Sequence, residues 1–260
     1  MPFVREGRIG RCHGRDARRC GIVIGVAIGS TGIGGVLLVP FLIYALGMRA
    51  PLAVALALFS FLWSGLVAAG LYARHGSIAW RQAAWLSLAA LPGAYLGAHA
   101  LGLIPPMVLE FLIAALIVAG AVNSLRAPPA DALRARPPSP GTLLLLGAIT
   151  GIGSALLSAS GALILVPLLV ALRQPVLPAI GLGQAIQVPI AAVASLANWL
   201  AGRIDVGEGL ILAVALSLGI AVGTPLAHAL PQRALGRLLA ATMLIAAAAM
   251  VLRRVWPLLS

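Results

Sequence analysis

The stretch GSTGIGGVLLVPFLI, Gly29 to Ile43, sets four glycines and a proline inside an otherwise unbroken apolar run. Glycine and proline are the residues least suited to a helix interior. The run is therefore expected to be interrupted at Thr31-Gly32-Ile33-Gly34-Gly35 and to restart as a helix close to Pro40, whose missing N–H is harmless in a first turn. A second run, 141–172, has the same character: it breaks at Ser158-Ala159-Ser160-Gly161-Ala162 and continues to Val166-Pro167, again expected in a first turn.

Composition explains why such breaks matter. Hydrophobic residues make up 61% of the chain and charged residues 9%, and the mean hydropathy is +1.06, the profile of a polytopic membrane protein whose partner is the lipid bilayer. A crossing needs about 20 helical residues, so the chain accommodates about eight crossings and no soluble catalytic domain. No Gly-rich loop ending in Gly-Lys-Ser/Thr is present to bind ATP, which leaves an ion or substrate gradient as the energy source. The formal charge of +12 is carried by arginines between or outside the apolar runs. They read as topology signals, and no nucleic-acid partner is expected. Cys12 and Cys20 have neither the short spacing of a zinc site nor a reason to pair, and no metal or cofactor is expected.

Apolar runs between arginines and Gly/Pro breaks give eight segments, 21–46, 52–73, 79–101, 106–125, 141–172, 177–200, 207–230 and 234–252. The fold class is an all-α polytopic membrane protein with broken first and fifth segments. If each segment crosses once from a cytoplasmic N-terminus, Arg5, Arg8, Arg11, Arg15, Arg18, Arg19, Arg74, Arg81, Arg126, Arg134, Arg136, Arg203, Arg253 and Arg254 face the cytoplasm. Only Arg49, Arg173, Arg233 and Arg237 then face the other side. That bias places both termini in the cytoplasm and favours an even number of crossings per half.

The proline-rich linker around Pro128, Pro129, Pro137, Pro138 and Pro140 divides two similar halves. Pro40 and Pro51 pair with Pro167 and Pro178, GSI at Gly76 with GRI at Gly202, Gly93 and Gly97 with Gly219 and Gly223, and Pro105 with Pro231. The expected organisation is an arginine-rich tail (1–20), a first four-segment repeat (21–126), a linker (127–140), a second repeat (141–254) and a short C-terminal tail (255–260). Duplication of this kind is typical of transporters that bind substrate between two halves. The Gly-x-x-x-Gly pairs themselves read as close helix packing.

Unwound backbone inside a membrane must be covered by protein or line a cavity, and a restarting helix offers free N–H groups and a positive dipole end. Two such ends can clasp one small oxyanion, with the glycines letting its oxygens approach the backbone. Ser30, Thr31, Ser158 and Ser160 flank the breaks, and Gln184 and Gln187 lie in the sixth segment, Gln187 at the position equivalent to Ser60. Ser60, Ser64 and Asn123 read equally well as ties between helices. Glu110 reads as an acid favoured at a helix start or as a proton relay, Asp205 either pairs with Arg203 or caps the seventh helix, and His75, His99 and His228 are candidates for proton coupling that sit near segment ends.

GIGGVLLVP after the first apolar run, GLGQAIQVPIAAVASL in the sixth segment, GRID before the seventh and GIAVGTPLAHALP within it resemble the sulfite exporter TauE/SafE family. The resemblance covers nearly the whole chain outside the N-terminal tail and linker. It implies a bacterial cytoplasmic-membrane permease for sulfite or organosulfonates, not an enzyme, with Gly32, Gly34, Gly35, Pro40, Ser160, Gly161, Pro167, Gln184 and Gln187 as binding positions. The expected function is secondary transport of a small sulfur-containing anion by alternating access of the two repeats, with homo-oligomerisation left open. The competing readings are an intramembrane serine enzyme, using Ser160 and His228, and a non-transporting membrane scaffold.

Overall fold

A computed structural model describes residues 11–32, 38–44, 46–48, 50–100, 137–157, 160–200, 202–231, 233–238, 240–241, 244 and 248. Eight helices are delimited among the described residues, and no strand occurs there. They are α1 (Arg11–Thr31), α2 (Leu38–Tyr44), α3 (Ala50–Arg74), α4 (Trp80–Ala100), α5 (Pro140–Leu157), α6 (Gly161–Ala171), α7 (Val176–Leu200) and α8 (Val206–Ala229). Within α3, Leu52–Arg74 is long and apolar enough to cross a membrane, as are α7 and α8; Cys20–Thr31, Pro140–Ser154 and α6 are shorter apolar stretches. On α8, Leu210, Val214, Leu218, Val222 and Leu226 form an exposed stripe at four-residue spacing. An apolar outer face of this kind is what lipid contact requires. α1 reaches back to Arg11 in the arginine-rich tail, and its apolar stretch is Cys20–Thr31.

Helix ends follow local chemistry. α3 closes with Gly76 at φ 67°, Gly76 N–H donating to the Ala73 carbonyl (2.9 Å) and Ser77 N–H to the Tyr72 carbonyl (3.0 Å). α7 closes the same way: Gly202 is also at φ 67°, with bonds to Trp199 (2.9 Å) and from Arg203 to Asn198 (3.0 Å). Both are left-handed caps that glycine adopts without strain. Asp205 caps α8 by accepting the Glu208 N–H at 3.1 Å, which decides between its two expected roles.

Helix directions follow from which residues meet. Gly21, Gly25 and Gly29 of α1 meet Leu212, Leu216 and Ile220 of α8 in turn, so these helices are parallel. Gly147 and Gly151 of α5 rest on the Leu86 and Ala90 carbonyls of α4, making a second parallel pair. α3 also runs with α8: Ser60 bonds the Gly209 carbonyl near the start of α8, and Ser77, just past α3, bonds His228 near the end of α8. α7 opposes α3, since Gly65 packs on Gln187 and Tyr72 on Gly181. α6 opposes α7, because Gly161 lies by Gln187 and Ile190 while Val166 flanks Gly183. α5 opposes α6, with Gly153 beside Ile164 and Ser154 beside Gly161.

These directions do not fit single crossings by the first and fifth segments, a premise that the sequence leaves open. α1 and α3 run the same way, so the chain from Gly32 to Ala50, α2 included, returns to the side on which α1 began. α5 and α7 also share a direction, and α6 returns between them. Segments 21–46 and 141–172 therefore each leave on the side they entered. The division of arginines rested on single crossings: with α1 and α3 parallel, Arg74 at the end of α3 and Arg81 at the start of α4 lie on the side opposite the start of α1. A glycine break gives no hint of direction, because its amides need only protein cover whichever way the chain leaves.

Two buried clusters fill the interior. One joins Tyr72, Leu86 and Ala90 to Leu163, Leu169, Ile180 and Ile186; the other joins Ile24, Ile28, Leu38 and Leu42 to Leu56, Phe61, Leu216 and Ile220. The end of α1, the start of α6 and the middle of α7 meet between them.

Candidate functional site at the helix ends

α1 stops at Thr31 because Gly32 takes a left-handed φ of 77°, its N–H still donating to the Ile28 carbonyl at 2.8 Å. A side chain at Gly32 would begin 3.2 Å from Ala162 Cβ, 3.3 Å from Ile180 Cγ2 and 3.7 Å from Gln184 Nε2. Conformation and space thus both call for glycine. Gln184 reaches from α7 to donate its amide to the Ile28 carbonyl at 2.9 Å, satisfying an acceptor at the end of α1. Thr31 and Ser30 return their hydroxyls to the Ala27 and Val26 carbonyls, both at 2.8 Å.

α6 starts at Gly161 with Ser160 at the cap position, yet the Ser160 side chain makes no cap bond. Gln187 of α7 does the work instead. Its Oε1 accepts the Gly161 N–H at 2.5 Å and the Ser160 hydroxyl at 3.0 Å. The Gly32 carbonyl faces the same hydroxyl at a long 3.4 Å. A partly negative oxygen therefore rests on the first amide of a buried helix, where its dipole is positive.

The structure brings together Thr31, Gly32, Ser160, Gly161, Gln184 and Gln187, all buried. Pro40 lies in the first turn of α2. Pro167 is inside α6, the seventh residue of the helix, so its expected first-turn place is corrected; there it denies the Leu163 carbonyl a helical donor. Gly34, Gly35, Ser158, Glu110 and Asn123 lie outside the described residues. Ser60, the counterpart of Gln187, donates to the Leu56 carbonyl (2.8 Å) or the Gly209 carbonyl (3.1 Å), tying α3 to α8.

Two residues that sequence reasoning passed over also belong here. Thr150 and Ser154 of α5 are buried, and their hydroxyls have no hydrogen-bond partner. Ser154 Oγ lies 3.6 Å from where a side chain on Gly161 would begin. The signal was the four-residue spacing of Thr150 and Ser154, which aligns the two hydroxyl residues on one face of α5.

His75 and His228 lie elsewhere. His228 accepts or donates at Nε2 with Ser77 Oγ (2.8 Å) and stacks on His75 with ring centroids 4.1 Å apart. Tyr72, beside it, donates to the Gly29 carbonyl at 2.7 Å. Ser160 is bonded to Gln187, and His228 to Ser77, so the serine–histidine pairing that a serine enzyme needs is not formed.

Fold and site define an integral membrane protein whose centre, among the described residues, is polar, uncharged and built from helix ends. Residues 19–250 match the family described as Sulfite exporter TauE/SafE, and the chain belongs to that family. It is accordingly a membrane permease of the sulfite-exporter class, the membership that GIGGVLLVP and GLGQAIQVP implied. No curated protein and no solved structure matches the chain.

Proposed function

We propose that this permease is a secondary transporter of a small sulfur-containing anion, of the sulfite or organosulfonate class, across the bacterial cytoplasmic membrane. It works by alternating access of two inverted repeats. Three pairs of equivalent helices, α1 and α5, α3 and α7, α4 and α8, run in opposite directions, which supports inversion. The hairpins α1–α2 and α5–α6 then enter from opposite sides and meet where Gly32 approaches Ala162. Inverted pairs of this kind can exchange conformations and open the centre to each side in turn.

The observation that carries the reading is the Gln187 oxygen on the Gly161 amide. It stands where an anion oxygen would sit, and a neutral amide is displaced more easily than a carboxylate. Thr31, Gly32, Gly34, Gly35, Pro40, Ser158, Ser160, Gly161, Pro167, Gln184 and Gln187 compose the proposed binding region.

Gly161→Ala tests it. The added methyl would lie 3.4 Å from Ile190 Cδ1, 3.5 Å from Gln187 Oε1 and 3.6 Å from Ser154 Oγ, ordinary contacts that the fold tolerates but that occupy the ligand's approach. An anion at about 100 times its dissociation constant stabilises the purified wild type by about 2.7 kcal/mol. The variant should keep its ligand-free melting temperature and lose that shift. If no anion shifts the wild type, or if Gly161→Ala retains the full shift, the site is elsewhere.

A further inference from the structure

A serine or threonine in a helix ordinarily returns its hydroxyl proton to the carbonyl of the preceding turn, as Ser30, Ser60 and Ser217 do here. Thr150 and Ser154 do not, although both are buried. A buried hydroxyl without a partner is a net cost to the folded protein. The orphan Ser154 Oγ lies at the start of α6, 3.6 Å from where a side chain on Gly161 would begin. The start of α6 therefore has an unpartnered buried hydroxyl close by.

The charge of a ligand there follows from what surrounds it. Apart from Tyr72, whose hydroxyl bonds the Gly29 carbonyl, the buried polar residues among the described ones are serines, threonines and glutamines. None carries a positive charge to offset an anion. The hydration energy lost on burial rises with the square of the charge, so a dianion forfeits about four times what a monoanion of equal size does. Neutral dipoles and one helix end can replace the hydration of a single charge far better than that of two. The oxygens present also favour a protonated or singly charged ligand: Ser154 Oγ and Ser160 Oγ can accept as well as donate, and the Gly32 carbonyl beside Ser160 can only accept.

We infer that the site binds monoanions and rejects dianions, taking hydrogensulfite or an alkylsulfonate rather than the doubly charged sulfite ion. Ser154 is one of its ligands. The inference rests on the anion-site reading above, and each sulfite ion moved then carries a proton without a titrating side chain at the site.

The test is uptake of labelled sulfite by proteoliposomes containing the full chain, with equal pH on both faces and the membrane potential clamped. At a fixed, subsaturating total concentration, uptake should fall about tenfold per pH unit once hydrogensulfite is the minor form. Methanesulfonate, a monoanion throughout, should inhibit with constant strength across the same range, and sulfate, a dianion, should not inhibit. Ser154→Ala should raise the half-saturating concentration severalfold while leaving the pH slope in place. Sulfite uptake that is flat with pH, or strong inhibition by sulfate, overturns the charge selectivity while leaving an anion site standing. An unchanged half-saturation in Ser154→Ala removes Ser154 from the site, and no uptake of any anion removes the site itself.

Discussion

Gly25 of α1 sits against the Leu216 carbonyl of α8, and Gly151 of α5 sits against the Ala90 carbonyl of α4. The offset that relates Gly93 to Gly219 also relates Gly25 to Gly151 and Ala90 to Leu216. Gly219 in turn meets the Ile22 carbonyl, and Gly93 meets the Ala148 carbonyl, again equivalent partners. At the centre the halves part company. Ser60 ties two helices together, while its counterpart Gln187 caps the start of α6. On the proposed two-repeat reading the seams are the shared scaffold, and the two halves differ in the few polar residues between them.

The seams give the largest expected effects. A Cβ on Gly25 would collide with the Leu216 carbonyl, and one on Gly151 with the Ala90 carbonyl; in both places the obstacle is backbone that cannot rotate away. Gly25→Ala and Gly151→Ala should each destabilise the purified protein by about 3 kcal/mol, the upper end for overpacking, as measured by thermal or denaturant unfolding in detergent. The comparison is in the match: equivalent seams should suffer equal losses. A variant that melts like wild type would break the likeness of the two seams.

At the centre the matched pair should differ. Ser60→Ala removes one neutral hydrogen bond, worth about 1 kcal/mol, and should leave transport nearly intact. Gln187→Ala uncovers the Gly161 amide, with a stability loss of about 1–2 kcal/mol for a lost cap, and should also abolish anion-induced stabilisation. Equal transport defects in the two variants would mean that the halves contribute symmetrically, contrary to the geometry.

Much of the scaffold was legible because membrane helices state themselves through length and composition. The stops after α3 and α7 were readable in GSI and GRI, whose glycines take the same left-handed turn. Gln184 and Gln187 stood out because amides in an apolar run are costly unless bonded. Direction was not legible. The stretch from Thr31 to Pro40 reads alike whether the chain crosses or doubles back, and only the partners of Gly25, Ser60 and Gly65 reveal that it returns. Pro167 misled for a related reason: proline marks a place where a helical bond is missing, and that is as true inside α6 as at its start. Thr150 and Ser154 escaped notice because hydroxyls on helices are usually bonded to their own backbone, and sequence cannot show that these two are not.

Those two orphan hydroxyls give the smallest effect and the one whose sign is most informative. If Thr150 and Ser154 were structural, replacing them would weaken the fold; Ser195 and Thr224, also buried without partners, offer the same contrast outside α5. Because no protein group bonds them, Ser154→Ala and Thr150→Val remove an unsatisfied polar atom and almost no packing. Ligand-free stability should rise, by up to about 1 kcal/mol for each, visible as a small increase in melting temperature. A gain without ligand, together with weaker anion binding in Ser154→Ala, is the signature of a group kept for function at the expense of stability. A loss of stability would instead reveal a protein partner for the hydroxyl and return Ser154 to the scaffold it shares with Gly151.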